Sequence, residues 1–131
     1  MTLRAAYIDT SALLAVLFGE PSAAAIRRRL RTIDGIYSSS LLEAEVLSSL
    51  ARERIPVELA RDALGAIRWV LPDRPLSSEL NAALAAGRLR GADLWHVACA
   101  LFLADGRKSL AFLTLDEAQA GIAQRLGLET M

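Results

Sequence analysis

Residues 5–18 read AAYIDTSALLAVLF, and the expected fold follows from this stretch. Residues 5–9 form a short, mostly apolar segment, which is typical of a buried strand. The apolar run at residues 11–18 predicts a helix directly after it. Asp9 therefore ends the first predicted strand, at the point where the chain passes into a helix.

The rest of the chain continues to alternate between strands and helices. Helices are predicted at residues 11–18, 22–32, 41–54, 56–69, 77–88, 92–104 and 117–126. Strands are predicted at residues 5–9, 35–38 and 109–114, with short edge strands compatible with VLPDRPL (70–76) and the tail LETM (128–131). Strands separated by helices indicate parallel pairing through right-handed crossovers. We therefore expect one α/β domain over residues 1–131, with three layers (α/β/α) and a mostly parallel sheet of four or five strands.

The composition limits the class of protein. The chain has 131 residues, of which 53% are hydrophobic and 5% aromatic, so its core is expected to consist mainly of Leu, Ala, Ile and Val. No apolar run approaches the roughly 18 residues of a membrane span. The N-terminus leaves no room for a signal peptide, and the single Cys99 fits a reducing compartment. These features predict a cytoplasmic protein with no membrane partner.

The formal net charge is zero, which argues against a protein that coats nucleic acid non-specifically. The inventory of polar residues excludes further chemistries. Metal-free ribonucleases usually need two proton-transfer groups, most often histidines, and this chain has only His96. A nucleophilic pair of His96 and Cys99 would have no third group to orient it. Ligands for zinc and a glycine-rich phosphate loop are also lacking, so carboxylates remain.

Four carboxylates occur at predicted strand ends or on helices that begin at such ends. They are Asp9, Glu45, Asp93 and Asp116. In open parallel sheets, sites lie at the carboxyl ends of the strands, so these acids are expected to share one cleft. Converging carboxylates repel one another, and a divalent cation removes that repulsion. Oxygen ligands with retained waters suit Mg²⁺ or Mn²⁺, which would activate water for attack on a phosphoryl group.

Each acid also has a structural interpretation, because aspartate is a favoured helix N-cap. Gln119 lies three residues after Asp116 and would complete a capping box with it. Asp93 opens a predicted helix in the same way. Asp9 is less easily explained as a cap, because two further residues that can cap a helix follow it.

Two glutamates on the helix at 41–54 are assigned different roles. Ser40 and Glu43 have the spacing of a capping box, which gives Glu43 a structural role. Glu45 borders the apolar stripe of this helix, from where its carboxylate can reach a shared cleft. Glu45 is therefore the candidate functional acid.

At these residues the chain resembles the PIN-domain nucleases of the VapC type. The resemblance rests on four segments in order: IDTSALLAVLFGEP, AEVLSSLAR, ADLWHVACAL and FLTLDEAQAGIAQRLGL. They place the family's acids on Asp9, Glu45, Asp93 and Asp116 and its neighbouring hydroxyls on Ser11 and Thr114. Some members carry a further aspartate where this chain has Glu117, whose contribution is left open.

The resemblance implies a PIN-like fold and a Mg²⁺-dependent endoribonuclease, with Mn²⁺ as a possible substitute. The products would carry 5′-phosphate and 3′-hydroxyl ends. It also implies the toxin of a type II toxin–antitoxin pair, a homodimer that is neutralised by a cognate antitoxin protein.

Two alternatives stay open from the residues. A haloacid-dehalogenase-like phosphatase would need a second aspartate two residues after Asp9, where this chain has Ser11. A catalytically silent PIN-like binding module would keep the fold without the reaction.

Contacts to RNA are expected from basic and aromatic side chains. The run IRRRLR (26–31) predicts either a solvated helix face or a surface that follows an RNA backbone. The candidate RNA-binding residues are Arg27, Arg28, Arg31 and Arg52, with Arg54 as a further one. Trp95 and His96 are candidates for stacking on a base, although Trp95 also suits a core.

Overall fold

The computed structural model describes residues 4–106 and 109–131. Its sheet has four strands: β1 (Ala5–Ile8), β2 (Gly35–Ser39), β3 (Arg68–Val70) and β4 (Ala111–Leu113). The strand order is β3-β2-β1-β4, and every pair is parallel. The predicted parallel sheet is therefore confirmed, with β1 and β2 in its centre.

Seven α-helices connect and cover these strands in the described part of the chain. They are α1 (Thr10–Leu17), α2 (Ala23–Leu30), α3 (Ser40–Arg52), α4 (Arg61–Gly65), α5 (Ser77–Ala86), α6 (Gly91–Ala104) and α7 (Glu117–Arg125). A 3₁₀ turn (Val57–Ala60) precedes α4. Within residues 4–106 and 109–131, none of these helices has the length and apolarity needed to cross a bilayer.

The alternation of side chains along β1 separates two hydrophobic layers. Tyr7 packs in a cluster with residues of α5, α6 and α7, and its ring stacks on Phe112 at 5.5 Å between centroids. Ile8 points to the other face and packs with residues of α1, α2 and α3. Successive residues of a strand face opposite sides of a sheet, so the buried central strand needs a helical layer on each side. The three-layer α/β/α prediction is confirmed.

The main correction concerns the predicted helix at residues 56–69. The structure has the 3₁₀ turn and the five-residue α4 there, and the chain then enters edge strand β3, which contains Trp69. Ile67 and Val70 are buried against opposite faces of the sheet, so tertiary packing overrides the local helical pattern. The predicted edge strand at 70–76 thus lies slightly earlier in the chain.

The other boundaries agree with prediction to within about two residues. The predicted strand at 109–114 is observed as β4, and residues 107 and 108 lie outside the described chain. The tail forms an isolated parallel bridge between Glu129 and Ala111 rather than a full strand.

Gly87, directly after α5, permits a close approach to α7. A Cβ atom at this position would lie 2.8 Å from both Cγ1 and Cδ1 of Ile122, which is buried. The β-branched Ile122 side chain has little freedom to move away. Gly87 thus allows the segment before α6 to pack on α7.

Gly87→Ala should therefore lower the free energy of unfolding by about 1–3 kcal/mol, the usual cost of overpacking. Gly65→Ala is the matched control, because no atom lies within 4 Å of the added Cβ. It should be neutral or stabilising by up to about 1 kcal/mol. Urea denaturation of both variants measures the difference, and equal stabilities would contradict this account of the contact.

Candidate active site

The candidate site lies at the carboxyl edge of the sheet. Asp9 follows β1 and caps α1, and Thr114 directly follows β4. Asp93 lies in the first turn of α6, and Asp116 is the N-cap of α7. Because the strands are parallel, these strand ends and helix starts meet at one edge, as predicted.

Asp9 is the central acid of this group and is only 1% exposed. Its carboxylate accepts hydrogen bonds from Ser11 Oγ (2.7 and 3.0 Å), the Ala12 amide (3.0 Å), Thr114 Oγ1 (2.6 Å) and Gln119 Nε2 (3.0 Å). Burial raises the pKa of Asp9, and the bonds from Thr114, Ala12 and Ser11 oppose that rise. The hydroxyls predicted to support the site are therefore in direct contact with its first acid.

Gln119 joins two of the predicted acids. Its side-chain nitrogen donates to Asp9 Oδ2 at 3.0 Å and to Asp93 Oδ1 at 3.2 Å. The predicted capping box is half formed, because Asp116 accepts from the Gln119 amide at 2.9 Å. Its return bond is absent among the described contacts, since the Asp116 amide donates to Thr114 Oγ1 instead. Sequence reasoning assigned Gln119 only to a cap and so missed its place in the site.

Asp93 is not a helix cap, because Arg90 occupies the N-cap position of α6. Burial raises the pKa of Asp93, and the negative charges of Asp116 and Asp9 raise it further. The fold therefore disfavours the ionised form of this carboxyl in the absence of a compensating cation. This is the electrostatic signature expected of carboxylates that share a cleft.

Glu45 belongs to a second hydrogen-bonded group, which lies beside the group around Asp9. Its Oε1 accepts from Thr10 Oγ1 at 2.7 Å and lies 2.8 Å from His96 Nε2. His96 Nδ1 lies 2.6 Å from the Tyr7 hydroxyl, which accepts from the Ser39 amide at 3.1 Å. Hydrogen bonding to His96 lowers the pKa of Glu45 and keeps it ionised.

The direction of these hydrogen bonds follows from the groups at the two ends, the Glu45 carboxylate and the Ser39 amide. The Glu45 carboxylate accepts, so His96 Nε2 donates to it. The Tyr7 hydroxyl accepts from the Ser39 amide and donates its own hydrogen to Nδ1. His96 thus orients Glu45, a role that its sequence position did not reveal. His96 is 1% exposed, so the prediction that it stacks on a base is wrong.

The predicted capping box of Ser40 and Glu43 is also wrong. The N-cap of α3 is Ser39, whose Oγ accepts from the Leu41 amide, and Ser40 is already helical. Ser39 ends β2 in extended conformation, so the helix starts one residue earlier than predicted. Glu43 is exposed, in contrast to the half-buried Glu45.

The structure also tests the interpretations of Trp95 and Cys99. Trp95 donates from Nε1 to Ser39 Oγ at 2.9 Å, in agreement with the core interpretation of this residue. Cys99 is fully buried, and burial raises its pKa to about 12, so it stays a neutral thiol. This excludes Cys99 as a thiolate nucleophile.

Part of the arginine run on α2 lies beside the C-terminal tail of the chain. Arg29 and Arg28, on α2, lie beside Glu129 and Met131 respectively, and Glu129 bridges to Ala111 at the start of β4. These two arginines of the IRRRLR run thus lie towards the amino edge of the sheet. Arg52, at the end of α3, lies seven residues after Glu45, or about 10 Å along the helix axis. Glu117 is exposed at the first position of α7.

The donor set at the carboxyl edge fits a magnesium-type ion. No three Asp, Glu, His or Cys side chains within residues 4–106 and 109–131 lie close enough together to enclose a metal. Mg²⁺ is typically held by one or two carboxylates, with waters and substrate phosphates completing its shell. Asp9 and Asp93, which both accept hydrogen bonds from the Gln119 side-chain amide, fit that pattern. Asp116 lies beside them. A closed zinc site would need four ligands and is not supported.

Comparisons with known proteins agree with the architecture. The family model described as PIN domain matches residues 6–125. The chain is similar to the crystal structure of PAE2754 from Pyrobaculum aerophilum, with a TM-score of 0.57 and 22% identity over 99% of this chain and 92% of that chain. At this identity the similarity concerns the fold. No curated protein matches the sequence.

Asp93→Asn should stabilise the metal-free protein. The amide oxygen of asparagine still accepts from Gln119, whereas the repulsion from Asp9 and Asp116 is removed. In EDTA we expect the free energy of unfolding to rise by about 0.5–2 kcal/mol, the scale of single stabilising substitutions. Asp62→Asn is the control, because Asp62 is an exposed acid in the first turn of α4. It isolates the helix-dipole effect and should be neutral or slightly destabilising. If Asp93→Asn is no more stable than the wild type, the acids do not repel one another as inferred.

Proposed function

Because this chain belongs to the PIN domain family, whose members are generally nucleases, we propose that it is a divalent-metal-dependent endoribonuclease. The observation that carries the proposal is that Asp9 and Asp93 both accept hydrogen bonds from the side-chain amide of Gln119, at the carboxyl edge of the sheet. Asp116 lies near enough for its charge to raise the pKa of Asp93. Such a concentration of negative charge is stabilised by a cation and suits phosphodiester chemistry.

The residues of this chain would prepare the site for that reaction. Ser11 and Thr114 fix the orientation of the Asp9 carboxylate, and His96 with Thr10 fixes that of Glu45. A bound Mg²⁺ or Mn²⁺ supplies a more acidic water and neutralises charge on the phosphoryl group. Glu45, ionised and beside the cleft, is a candidate to receive a proton from the attacking water.

Basic residues beside the acids support binding of a nucleic-acid backbone. Arg90 directly precedes α6 and is exposed three residues before Asp93. Arg88 is exposed in the same connection between α5 and α6. We propose these two arginines as phosphate contacts in addition to the predicted Arg27, Arg28, Arg31 and Arg52.

The purified chain should cleave a structured RNA with Mg²⁺ or Mn²⁺ and stop when EDTA is added. Glu45→Gln should slow cleavage by about 100-fold or more, the usual contribution of a general base. The fold should persist, because glutamine still accepts from Thr10 and His96. Glu43→Gln is the matched control on the same helix and should keep most activity. Gel analysis of a labelled RNA measures both rates and identifies the product ends.

Cleavage that continues in EDTA, or that yields 2′,3′-cyclic phosphates, would contradict the metal-dependent mechanism. A protein that binds Mn²⁺ and RNA but cleaves nothing would favour the alternative of a silent binding module. Loss of activity in Glu43→Gln with activity retained in Glu45→Gln would show that the assignment is wrong by two residues.

We further propose that the nuclease is the toxin of a type II toxin–antitoxin pair, a homodimer neutralised by an antitoxin protein. The resemblance of the four acid-bearing segments to VapC toxins motivates this finer assignment. Two exposed apolar side chains follow strands of the sheet: Leu71 is 71% exposed and Leu115, beside Asp116, is 38% exposed. Both residues follow carboxyl ends of strands, so a partner bound there would lie next to the acidic cleft.

Expression of the wild type alone should arrest growth, because an unneutralised nuclease destroys cellular RNA. Asp9→Asn should relieve the arrest while keeping the α1 cap, since asparagine caps a helix about as well as aspartate. Asp62→Asn, far from the acids in the chain, should arrest growth as the wild type does. Growth curves after induction provide the measurement. Equal growth of the wild type and Asp9→Asn cultures, at equal protein levels, would contradict the toxin assignment.

A further inference from the structure

The side chain of Gln119 is an unusual group in the acidic cleft. It is 2% exposed, and its nitrogen donates to both Asp9 and Asp93. Its oxygen, Oε1, is buried without a hydrogen-bond partner among the residues that the structure describes. A buried acceptor left unpaired carries a free-energy cost. Among the described residues, the two carboxylates are the hydrogen-bond partners of this amide group.

The two amide hydrogens of Gln119 occupy the position of a positive charge. Each carries partial positive charge and is directed at one carboxylate oxygen, which reduces the repulsion between two anions that the fold brings together. The Asp9 carboxylate already accepts from four donors, which is about the number of its lone-pair sites, so a divalent ion that binds it has to displace one of them. The ion also repels the partial positive charge of the –NH₂ group, so the amide and the ion compete for one place.

We propose that Gln119 is a placeholder for the metal ion: its amide bridges Asp9 and Asp93 when the ion is absent and is displaced when the ion binds. This inference rests on the proposed divalent-metal function and assigns a positioning role to a residue outside the acidic set. The amide stabilises the metal-free site and thereby lowers the affinity for the ion. The orphaned Oε1 allows this exchange, because rotation of the amide breaks no other hydrogen bond of its side chain in the described part of the chain.

A thermodynamic cycle tests the placeholder in the intact chain. Gln119→Met keeps the length of the side chain and removes both donors. If the amide acts in the metal-free state alone, the loss of metal-free stability and the gain in metal affinity must be equal. We expect the dissociation constant for Mn²⁺, measured by calorimetry, to fall about tenfold, or about 1.4 kcal/mol. The equilibrium constant for unfolding in EDTA should rise by the same factor. Gln124→Met on the same helix loses only an exposed hydrogen bond to Thr130. It should leave the Mn²⁺ affinity unchanged and change the stability by well under tenfold.

Other results of this cycle overturn the proposal. Weaker Mn²⁺ binding by Gln119→Met would mean that the amide serves the ion-bound state. Unchanged affinity with lost stability would mean that Gln119 is only a structural residue. In both cases the wild type still binds Mn²⁺, and the proposed metal-dependent function stands. A wild type that binds no Mn²⁺ overturns the proposed function and the placeholder with it.

A measurement on the wild type keeps the test independent of how the Gln119 variant folds. The chain has three side-chain amides, at Asn81, Gln119 and Gln124, so their –NH₂ signals are easily distinguished by NMR. Titration with Mg²⁺ should shift the Gln119 pair and reduce its protection from solvent exchange, while the Gln124 pair stays unchanged. A Gln119 pair that does not move as the backbone amide of Asp93 saturates would contradict displacement.

Discussion

The burial of the Asp9 carboxylate is the constraint on which the arrangement of this molecule depends. An ionised group removed from water is stable only when hydrogen-bond donors surround it. Asp9 takes its donors from both ends of the chain: Ser11 and the Ala12 amide come from α1, Thr114 follows β4, and Gln119 comes from α7. The hydrogen bonds to this one carboxylate therefore connect the first strand with the last strand and the last helix. The same hydrogen bonds hold the Asp9 carboxylate in a fixed orientation at the carboxyl edge of the sheet.

Residues around Asp9 have structural and site roles at once. Thr114 donates to Asp9 and accepts from the Asp116 amide, while Ser11 also accepts from the Leu115 amide. These bonds order the turn between β4 and α7 and keep the Asp116 carboxylate at the start of its helix. Helix capping and acid placement are thus achieved by the same atoms. The choice between a cap and a functional acid, which is natural from sequence, is not exclusive in the structure.

The hydrogen bonds from Tyr7 through His96 to Glu45 provide a second connection across the layers. Tyr7 lies on β1, His96 on α6 and Glu45 on α3, so the group spans both faces of the sheet near its carboxyl edge. Burial raises the pKa of Tyr7 well above its usual range, and its hydroxyl therefore remains a donor. This arrangement holds Glu45 at a defined position beside the aspartates without placing it between them.

The order of strands and helices, the parallel sheet and the set of acidic residues were determined by the sequence itself. Local periodicity and the shortage of histidine and cysteine are properties of the chain, and they do not depend on packing. Only the tertiary structure decided which residues form hydrogen bonds with each acid. Gln119 had the spacing of a cap partner and Trp69 the pattern of a helix end, yet the first bridges two acids and the second lies in an edge strand. The reason is physical: hydrogen-bond partners more than a hundred residues apart, and strand pairing at a sheet edge, depend on how layers pack, which local propensity does not encode.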